Sequence, residues 1–412
     1  MYNNLKSKLN MYLSGQAQKT ACQRKGPDIS DIMEGTTCTN DNGSYFLIEE
    51  RYPVTYIHGG YNIGKAQELN LGVMSTVFHD VDAAHSIRDY LFLDTETTGL
   101  SGGTGTVAFL IGVGYFEEDA FVLRQYYMRD YDEEPSMLEG LNELMSRFKG
   151  LVTFNGKAFD WNLITTRYTF NRMKILLKNP VHMDLLYPSR RIWKLKHESC
   201  RLSNLEEKVL GEFRVDDIPG ALIPGIYFKY LESRDASEIK KVILHNKLDV
   251  LSMVSLLIKI YNLIDNPYGE SDGEHELYGV GRIFETAGGK DTVINCYETC
   301  IKSENTYICN TAAKRLLDIC RRNGEYEKMI EYGGFILSSP SFNRLPVMIE
   351  IAKYYEHKAK DYKKAFEIVE EALLECLHNT INGHLYKDSL IKRKKRIERK
   401  IQRMAQNTGY AE

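Results

Sequence analysis

Leu91-Phe92-Leu93-Asp94-Thr95-Glu96-Thr97-Thr98-Gly99-Leu100 is the stretch on which the fold of this 412-residue chain turns. Residues 90–93 are apolar and read as a buried strand, which runs into two carboxylates one residue apart and a Thr-Thr-Gly turn. On a strand, residues i and i+2 point to the same face, so Asp94 and Glu96 converge on one side of a central sheet. Two anions that close repel each other unless a cation lies between them. A lone Asp-x-Glu is common on solvated loops and helix starts. The apolar run before this one points instead to a half-buried strand end and a divalent metal.

Two further segments bear on the same chemistry. In Leu151-Val152-Thr153-Phe154-Asn155-Gly156-Lys157-Ala158-Phe159-Asp160 a β-rich run meets an Asn-Gly turn, and a helix opens with Asp160 in its first turn. Taken alone, Asp160 reads as a helix cap before it reads as a ligand. In Val242-Ile243-Leu244-His245-Asn246-Lys247-Leu248-Asp249-Val250-Leu251, His245 and Asp249 are four apart and share one helical face. Such a pair alone is ordinarily a surface contact. Three coincidences in this order carry more weight than any one.

Together these segments resemble the DEDD family of 3′–5′ exonucleases, which have the ribonuclease H-like fold. Residues 94–100 look like the Asp-x-Glu-Thr-Thr-Gly segment of the proofreading members, Asn155-Gly156 with Phe159-Asp160 like the second motif, and His245-Asn246-x-x-Asp249 like the third. Asp217-Ile218-Pro219-Gly220, Ile223-Pro224 and residues 245–250 further resemble the bacterial YprB-like group, which carries tetratricopeptide repeats behind the nuclease domain. The resemblance covers residues 45–265. One spacing departs from it. The His subclass places its histidine five residues before the last aspartate, whereas the gap here is four, as in the sister subclass that uses Tyr.

Hydrolysis of a phosphodiester needs an activated water, neutralisation of the phosphate and support for the leaving oxygen. Two Mg²⁺ or Mn²⁺ ions about 3.5–4 Å apart supply all three. Such hard cations prefer carboxylates and water to thiolates. The set Asp94, Glu96, Asp160 and Asp249 meets that preference. The resemblance implies that Asp94 bridges both ions, Glu96 and Asp249 hold the nucleophile-side ion, and Asp160 helps hold the other. It implies that His245 is the general base, since an ordinary imidazole titrates near neutrality. Thr97, Leu100, Asn155 and Phe159 beside these motifs are candidates for substrate contact, with Arg190 and Arg191 of a basic cluster that includes Lys194, Lys196 and Arg201 around Trp193.

The intervening sequence predicts strands over residues 106–115, 121–127 and 151–154, and helices over 135–148 and 160–170. The order strand-strand-strand-helix-strand-helix predicts an α/β ribonuclease H-like mixed sheet flanked by helices, with Asp94 on its central first strand. The glycine-rich residues 101–106 lack the Lys and helix start of a phosphate-cradling loop and read as a flexible turn. His58-Gly59-Gly60 reads as a plain turn or a loop over the cleft. Asp184 reads as a residue that caps or orients a helix, outside the ligand set.

A length of 412 residues predicts two or three domains. Residues 1–44, with a short amphipathic helix over 5–13, read as a partly disordered lead-in; 45–265 as the nuclease domain; 274–405 as an all-α repeat domain behind a breaker-rich linker at 265–273. Leu277, Ala313 and Ile349 recur every 36 residues, as do Val280, Leu316 and Ala352, and Val293, Met329 and Ala365. This step is close to the ~34 residues of tetratricopeptide repeats, which stack because one helix pair cannot bury its own apolar face. The basic end, residues 392–396 with Arg399, Lys400 and Arg403, reads either as a solvated capping helix or as a cationic face for nucleic acid.

A net charge of −3 gives no global nucleic-acid signature, so a grip on a polyanion must come from local patches and the metals. Eight scattered cysteines without a CxxC pair read as reduced thiols of a cytoplasmic protein. No apolar run approaches the ~20 residues of a membrane span, and no signal peptide is expected. The reading is a metal-dependent nuclease, a 3′–5′ exonuclease on a single-stranded DNA or RNA end, with a protein partner possible through the repeats. Two alternatives stand beside it: an internal-cutting nuclease of the same fold, and a binding or scaffold module whose nuclease fold is weakly active or inactive.

Overall fold

The computed structural model describes residues 26–99, 105–339, 343–378 and 383–408. Leu100, the expected helix over 5–13 and most of the glycine-rich 101–106 turn lie outside them. The described residues form two compact units, one from 26–190 and 197–265, the other from 191–196 and 266–408.

The strands of the first unit are β1 (Thr36–Asn40), β2 (Gly43–Pro53), β3 (Ile57–His58), β4 (Tyr61–Asn62), β5 (Tyr90–Thr97), β6 (Ala108–Phe116), β7 (Ala120–Tyr127), β8 (Gly150–Thr153) and β9 (Val181–Asp184). Seven of them make a mixed sheet in the order β1-β2-β7-β6-β5-β8-β9. Pairing is antiparallel from β1 to β5 and parallel from β5 through β8 to β9. Its longest helices are α1 (Glu134–Met145), α2 (Asp160–Phe170), α3 (Ile223–Ser233) and α4 (Ile239–Asp265). The observed strand and helix order from β5 to α2 is the order expected.

Every residue of β6 is buried, which its near-continuous apolar run requires when helices cover both faces of a sheet. Strand β5 is buried over Tyr90–Leu93 and opens to partial exposure at Asp94, where apolar residues give way to acids. Leu91 and Leu93 share a core with Met137, Leu138 and Leu141 of α1 and with Tyr227 of α3, whose ring stacks on Phe109 at 4.0 Å. Helix α1 stops at Met145, short of the predicted 148. Arg147 and Phe148 instead bond back three residues, to Leu144 and Met145, in a tighter final turn. Helix α2 docks on α1 through the buried Arg167–Glu134 pair, bidentate with both distances 2.6 Å.

Part of the stretch expected to be disordered lead-in belongs to the sheet. Thr36–Asn40 pairs with β2 as an edge strand, and Ile29 enters the core. Its polar composition suits an edge, where the pattern leaves most positions exposed, and Thr36, Thr37 and Thr39 suit a pleated strand. His58-Gly59-Gly60 is a tight turn between β3 and β4, with both glycines at positive φ (53° and 73°) and His58 buried on Ser252 at 2.7 Å.

In the second unit the helices are α5 (Glu274–Ala287), α6 (Lys290–Cys300), α7 (Thr306–Asn323), α8 (Tyr326–Leu337), α9 (Leu345–His357), α10 (Tyr362–His378) and α11 (Gly383–Thr408). They form three consecutive pairs followed by α11. Gly288 and Gly324 close the first helix of the first two pairs at positive φ (91° and 77°), and Lys360, another 36 residues on, takes positive φ (56°) in the turn that follows the helix ending at His357. The same left-handed turn therefore recurs at the step of the apolar pattern. Val280, Leu316 and Ala352 are buried at equivalent places, as are Val293, Met329 and Ala365. Ile349 is only partly buried, against a core that includes Met348.

The basic end is not simply an outward cationic face. Glu356, 1% exposed, accepts from Arg393 at 2.6 Å, from Arg396 at 2.6 and 2.7 Å and from Lys400 at 2.9 Å. Lys394 bonds Glu370 at 2.8 Å, while Lys392, Lys395, Arg399 and Arg403 stay exposed. Burial by itself would raise the Glu356 pKa; the Arg396 and Lys400 bonds outweigh it and bring it down to about 2.

Glu356→Gln should lower stability by roughly 3 kcal/mol, because three cations lose their buried counter-charge. A depressed carboxylate stabilises above its unfolded pKa and loses that contribution as pH falls through the folded one. The stability gap between wild type and variant should thus be full at pH 7 and close between pH 4.5 and about 2, as read by urea unfolding.

Candidate active site

Asp94 faces Gly112 across the β5–β6 ladder, and that glycine decides what can cover it. A Cβ on Gly112 would lie 2.1 Å from Asn246 Oδ1, and one on Gly114 would lie 2.2 Å from the Phe121 ring of β7 and 2.8 Å from Val250 Cγ1. Two glycines on one face of β6 thus let α4 settle against the sheet through Asn246 and Val250, one helical turn apart. Asn246 then donates to Asp94 Oδ2 at 2.8 Å and accepts from Gln125 at 2.9 Å, and Gln125 also donates to the Ile243 carbonyl at 2.8 Å. A relay from β7 through α4 orients the Asp94 carboxylate.

The same seating brings His245 and Asp249 to Glu96. His245 Nε2 is 4.0 Å from Glu96 Oε1 and 3.6 Å from Asp249 Oδ2, and one ligand atom from each of the three lies within 4.8 Å of the others. Asp94 and Asp160 lie outside this trio but near enough for their charges to act on it. Burial, then the charges of Asp249 and Asp160, push the Asp94 carboxyl well above the usual range. Burial, then Asp94, Asp249 and Asp160, do the same to Glu96.

Asp160 opens α2 and accepts from Thr95 Oγ1 at 2.5 Å, so it meets β5 at the residue between the two acids. Its burial outweighs the Thr95 bond and raises its pKa to about 6. The turn before it is held by buried Asp184, which accepts from the backbone of Asn155 at 2.7 Å, Lys157 at 3.1 Å and Leu186 at 3.1 Å. Asn155 adopts φ 69°, a left-handed conformation that Asn tolerates. Asp184 thus orients both the second motif and a helix start.

Among the other expected substrate contacts, Phe159 is 52% exposed directly before Asp160. Thr97 instead turns back to the Gly99 carbonyl at 2.8 Å, just past a bulge between Glu96 and Thr97. Arg190 is exposed on the helix Leu186–Trp193. Arg191 donates to the Arg282 carbonyl at 3.2 Å and to Thr286 at 2.8 Å, so backbone and hydroxyl acceptors already engage it.

The cation that Asp94 and Glu96 feel is Arg214, which the sequence did not single out. Its side chain is 6% exposed and grips Glu206 with two bonds of 2.6 and 2.5 Å. It also pairs directly with Asp249 and reaches Asp217 at 3.3 Å. Burial opposes its charge, and the acids around it more than compensate, raising its pKa. Glu206 lies in a π-helical turn ending at Gly211 (φ 68°), and the loop beyond carries Arg214 and Asp217 back over the acids. Nothing periodic links residues 206, 214 and 249, so no local pattern signals them. Asp217 lies in a segment singled out for its resemblance, without a role.

The donor set is carboxylate oxygens beside one imidazole that does not belong to it, in surroundings that disfavour bare negative charge. It fits a hard divalent cation, whose charge would offset the repulsion that now raises the carboxyl pKa values.

Gly112→Ala should displace Asn246 and leave Asp94 without its donor; we expect a fall in Mn²⁺ affinity of about 10–100-fold, read by calorimetry, as for loss of an outer-shell partner. The raised Asp160 carboxyl stabilises the protein while neutral, below its ordinary 3.8, and that contribution is lost as pH rises through about 6. A bound cation would replace the proton there. The Tm increase from added Mg²⁺ or Mn²⁺ should therefore be small at pH 5 and larger at pH 8; an increase independent of pH would contradict it.

Residues 91–261 match the family described as the RNase_H superfamily. Over 336 residues, 80% of each chain, the sequence is 32% identical to the uncharacterized protein YprB of Bacillus subtilis (strain 168). The seven-stranded mixed sheet, with Asp94 and Glu96 on the inner strand β5 beside the central β6, is compatible with that match. The chain therefore belongs to the family that includes YprB and carries an RNase H superfamily domain over residues 91–261.

Proposed function

We propose that the chain is a metal-dependent nuclease, a 3′–5′ exonuclease that hydrolyses phosphodiester bonds at single-stranded ends of DNA or RNA. The RNase H superfamily domain suggests a nuclease, and one observation carries the rest: His245 and Asp249 reach Glu96 from the facing helix, two residues along the strand from Asp94. Asp94, Glu96, Asp160 and Asp249 would hold two Mg²⁺ or Mn²⁺ ions, which when bound supply charge neutralisation at the phosphate and an acidified water.

The chain's own groups do the rest. His245 Nε2 opens into the acid cluster and accepts a proton from the attacking water there. The four-residue spacing keeps His245 and Asp249 on one face of α4, which supports this role despite the usual five. Asn246 keeps Asp94 in one orientation. Exposed Phe159 offers a ring on which a base can stack beside the cleft. The helices of the second unit are tetratricopeptide-like repeats that take a protein partner.

A second reading is favoured by the Arg214–Asp249 pair. A guanidinium on that carboxylate competes with a metal ion for it. A protein in which Arg214 keeps Asp249 would be a repeat-bearing scaffold with a weakly active or inactive nuclease fold.

Incubation with end-labelled single-stranded DNA and RNA plus Mn²⁺, beside an Asp94→Ala control, separates the two. Stepwise shortening from the 3′ end, absent in the control, is expected. Equal products from both proteins would leave the scaffold reading.

A further inference from the structure

We infer that Asp217 is a positioning residue that holds His245 in a single tautomer and orientation, with Nε2 turned into the acid cluster. The inference deepens the nuclease reading and rests on it for its catalytic consequence.

Asp217 Oδ1 lies 2.7 Å from His245 Nδ1, a full hydrogen bond, and an ionised carboxylate can only accept. The hydrogen of a neutral ring must then sit on Nδ1. Arg214 Nη1 is 3.2 Å from the same nitrogen, but a guanidinium only donates, so it cannot bond an Nδ1 that carries hydrogen. Its available partner there is Asp217 Oδ2, at 3.3 Å. On the other side of the ring, Nε2 stands 3.6 Å from Asp249 and 4.0 Å from Glu96, beyond hydrogen-bond length. Neither acid competes with Asp217 for the ring's hydrogen. The lone pair of Nε2 is left facing the place where a water would be deprotonated.

Asp217 is also well anchored. Its loop is pinned on one side by Arg214, clamped on Glu206, and on the other by Ile218, which is buried in the core. The carboxylate therefore does not follow the ring; the ring follows the carboxylate. Burial works against ionisation of Asp217, but the His245 bond and the His245 and Arg214 charges outweigh it and hold its pKa below the ordinary value.

Nitrogen-15 spectra of histidine-labelled protein, recorded without metal at alkaline pH where an imidazole is neutral, read the tautomer directly. Loss of the signal in His245→Gln assigns it. Wild type should show the Nδ1–H tautomer of His245, and Asp217→Ala should shift it to a mixture or to Nε2–H. On labelled single-stranded DNA with Mn²⁺, Asp217→Ala should lower kcat by about 10–100-fold, the usual effect of losing an orienting partner. KM and Mn²⁺ affinity should stay within about twofold, and Asp217→Glu should recover part of kcat. Should Asp217→Ala fail to fold, Asp217→Leu, of similar shape and without an acceptor, is read by the same spectrum.

An unchanged tautomer in the variant overturns the inference. So does a loss of activity carried wholly by KM or by Mn²⁺ affinity. If wild type cleaves neither DNA nor RNA, the nuclease reading fails, while the spectra still report whether Asp217 sets the ring.

Discussion

The close seating of α4 on β5 and β6 is the contact on which the site depends. Helices ordinarily stand off a sheet by the side chains of both surfaces. At Gly112 the sheet contributes none and Asn246 occupies that space, while at Gly114 the Phe121 ring of β7 and Val250 of α4 share it. The depth gained is about that of a side chain, enough for Asn246 to reach Asp94 and for His245 and Asp249 to flank Glu96. A Cβ at Gly112 has no room to be absorbed, because its neighbour Asn246 is already fixed by Gln125.

That seating gathers acids where water is scarce, and the molecule offsets the repulsion with Arg214. The arrangement is unfavourable for its own sake: Asp94 and Glu96 are driven toward their neutral forms, while Glu206 is 1% exposed and relies on Arg214 for charge. Buried titratable groups set against one another in this way cluster at functional sites. Arg214 links the parts. Through Glu206 it anchors the 211–219 loop, through Asp249 it touches the acids, and through Asp217 it borders the His245 ring. The same guanidinium holds the acids together and would compete with any incoming cation.

The second unit follows a simpler logic. Its helix pairs share a 36-residue step in both apolar residues and backbone turn, and Lys360 adopts the left-handed turn that glycine takes in the two preceding pairs. Non-glycine residues pay a steric cost there, so the repeat of the conformation reflects the packing of the helices that follow. Helix α11 is tied down by charge as well as by its apolar stripe: Leu390 and Ile397 enter the core while Arg393, Arg396 and Lys400 meet on Glu356. Residues that look in sequence like a solvated cationic run are thus partly structural.

The sequence by itself determined the elements and their order. Apolar runs marked β5 to β8, the bounds 160–170 of α2 were readable from periodicity and the turn before it, and a spacing of four set His245 and Asp249 on one helical face. These are local properties, carried by residues within a few positions of one another. What only the tertiary structure decided are the partners. Arg214 with Glu206 and Asp249, Asp217 with His245, Gln125 with Asn246, and Glu356 with the basic end are pairs distant in the chain or lodged in loops without a period. The edge strand β1 escaped for a related reason, since a strand with little to bury carries little apolar pattern. Hydrophobic periodicity records which face of an element is buried; it does not record which charge waits on the other side.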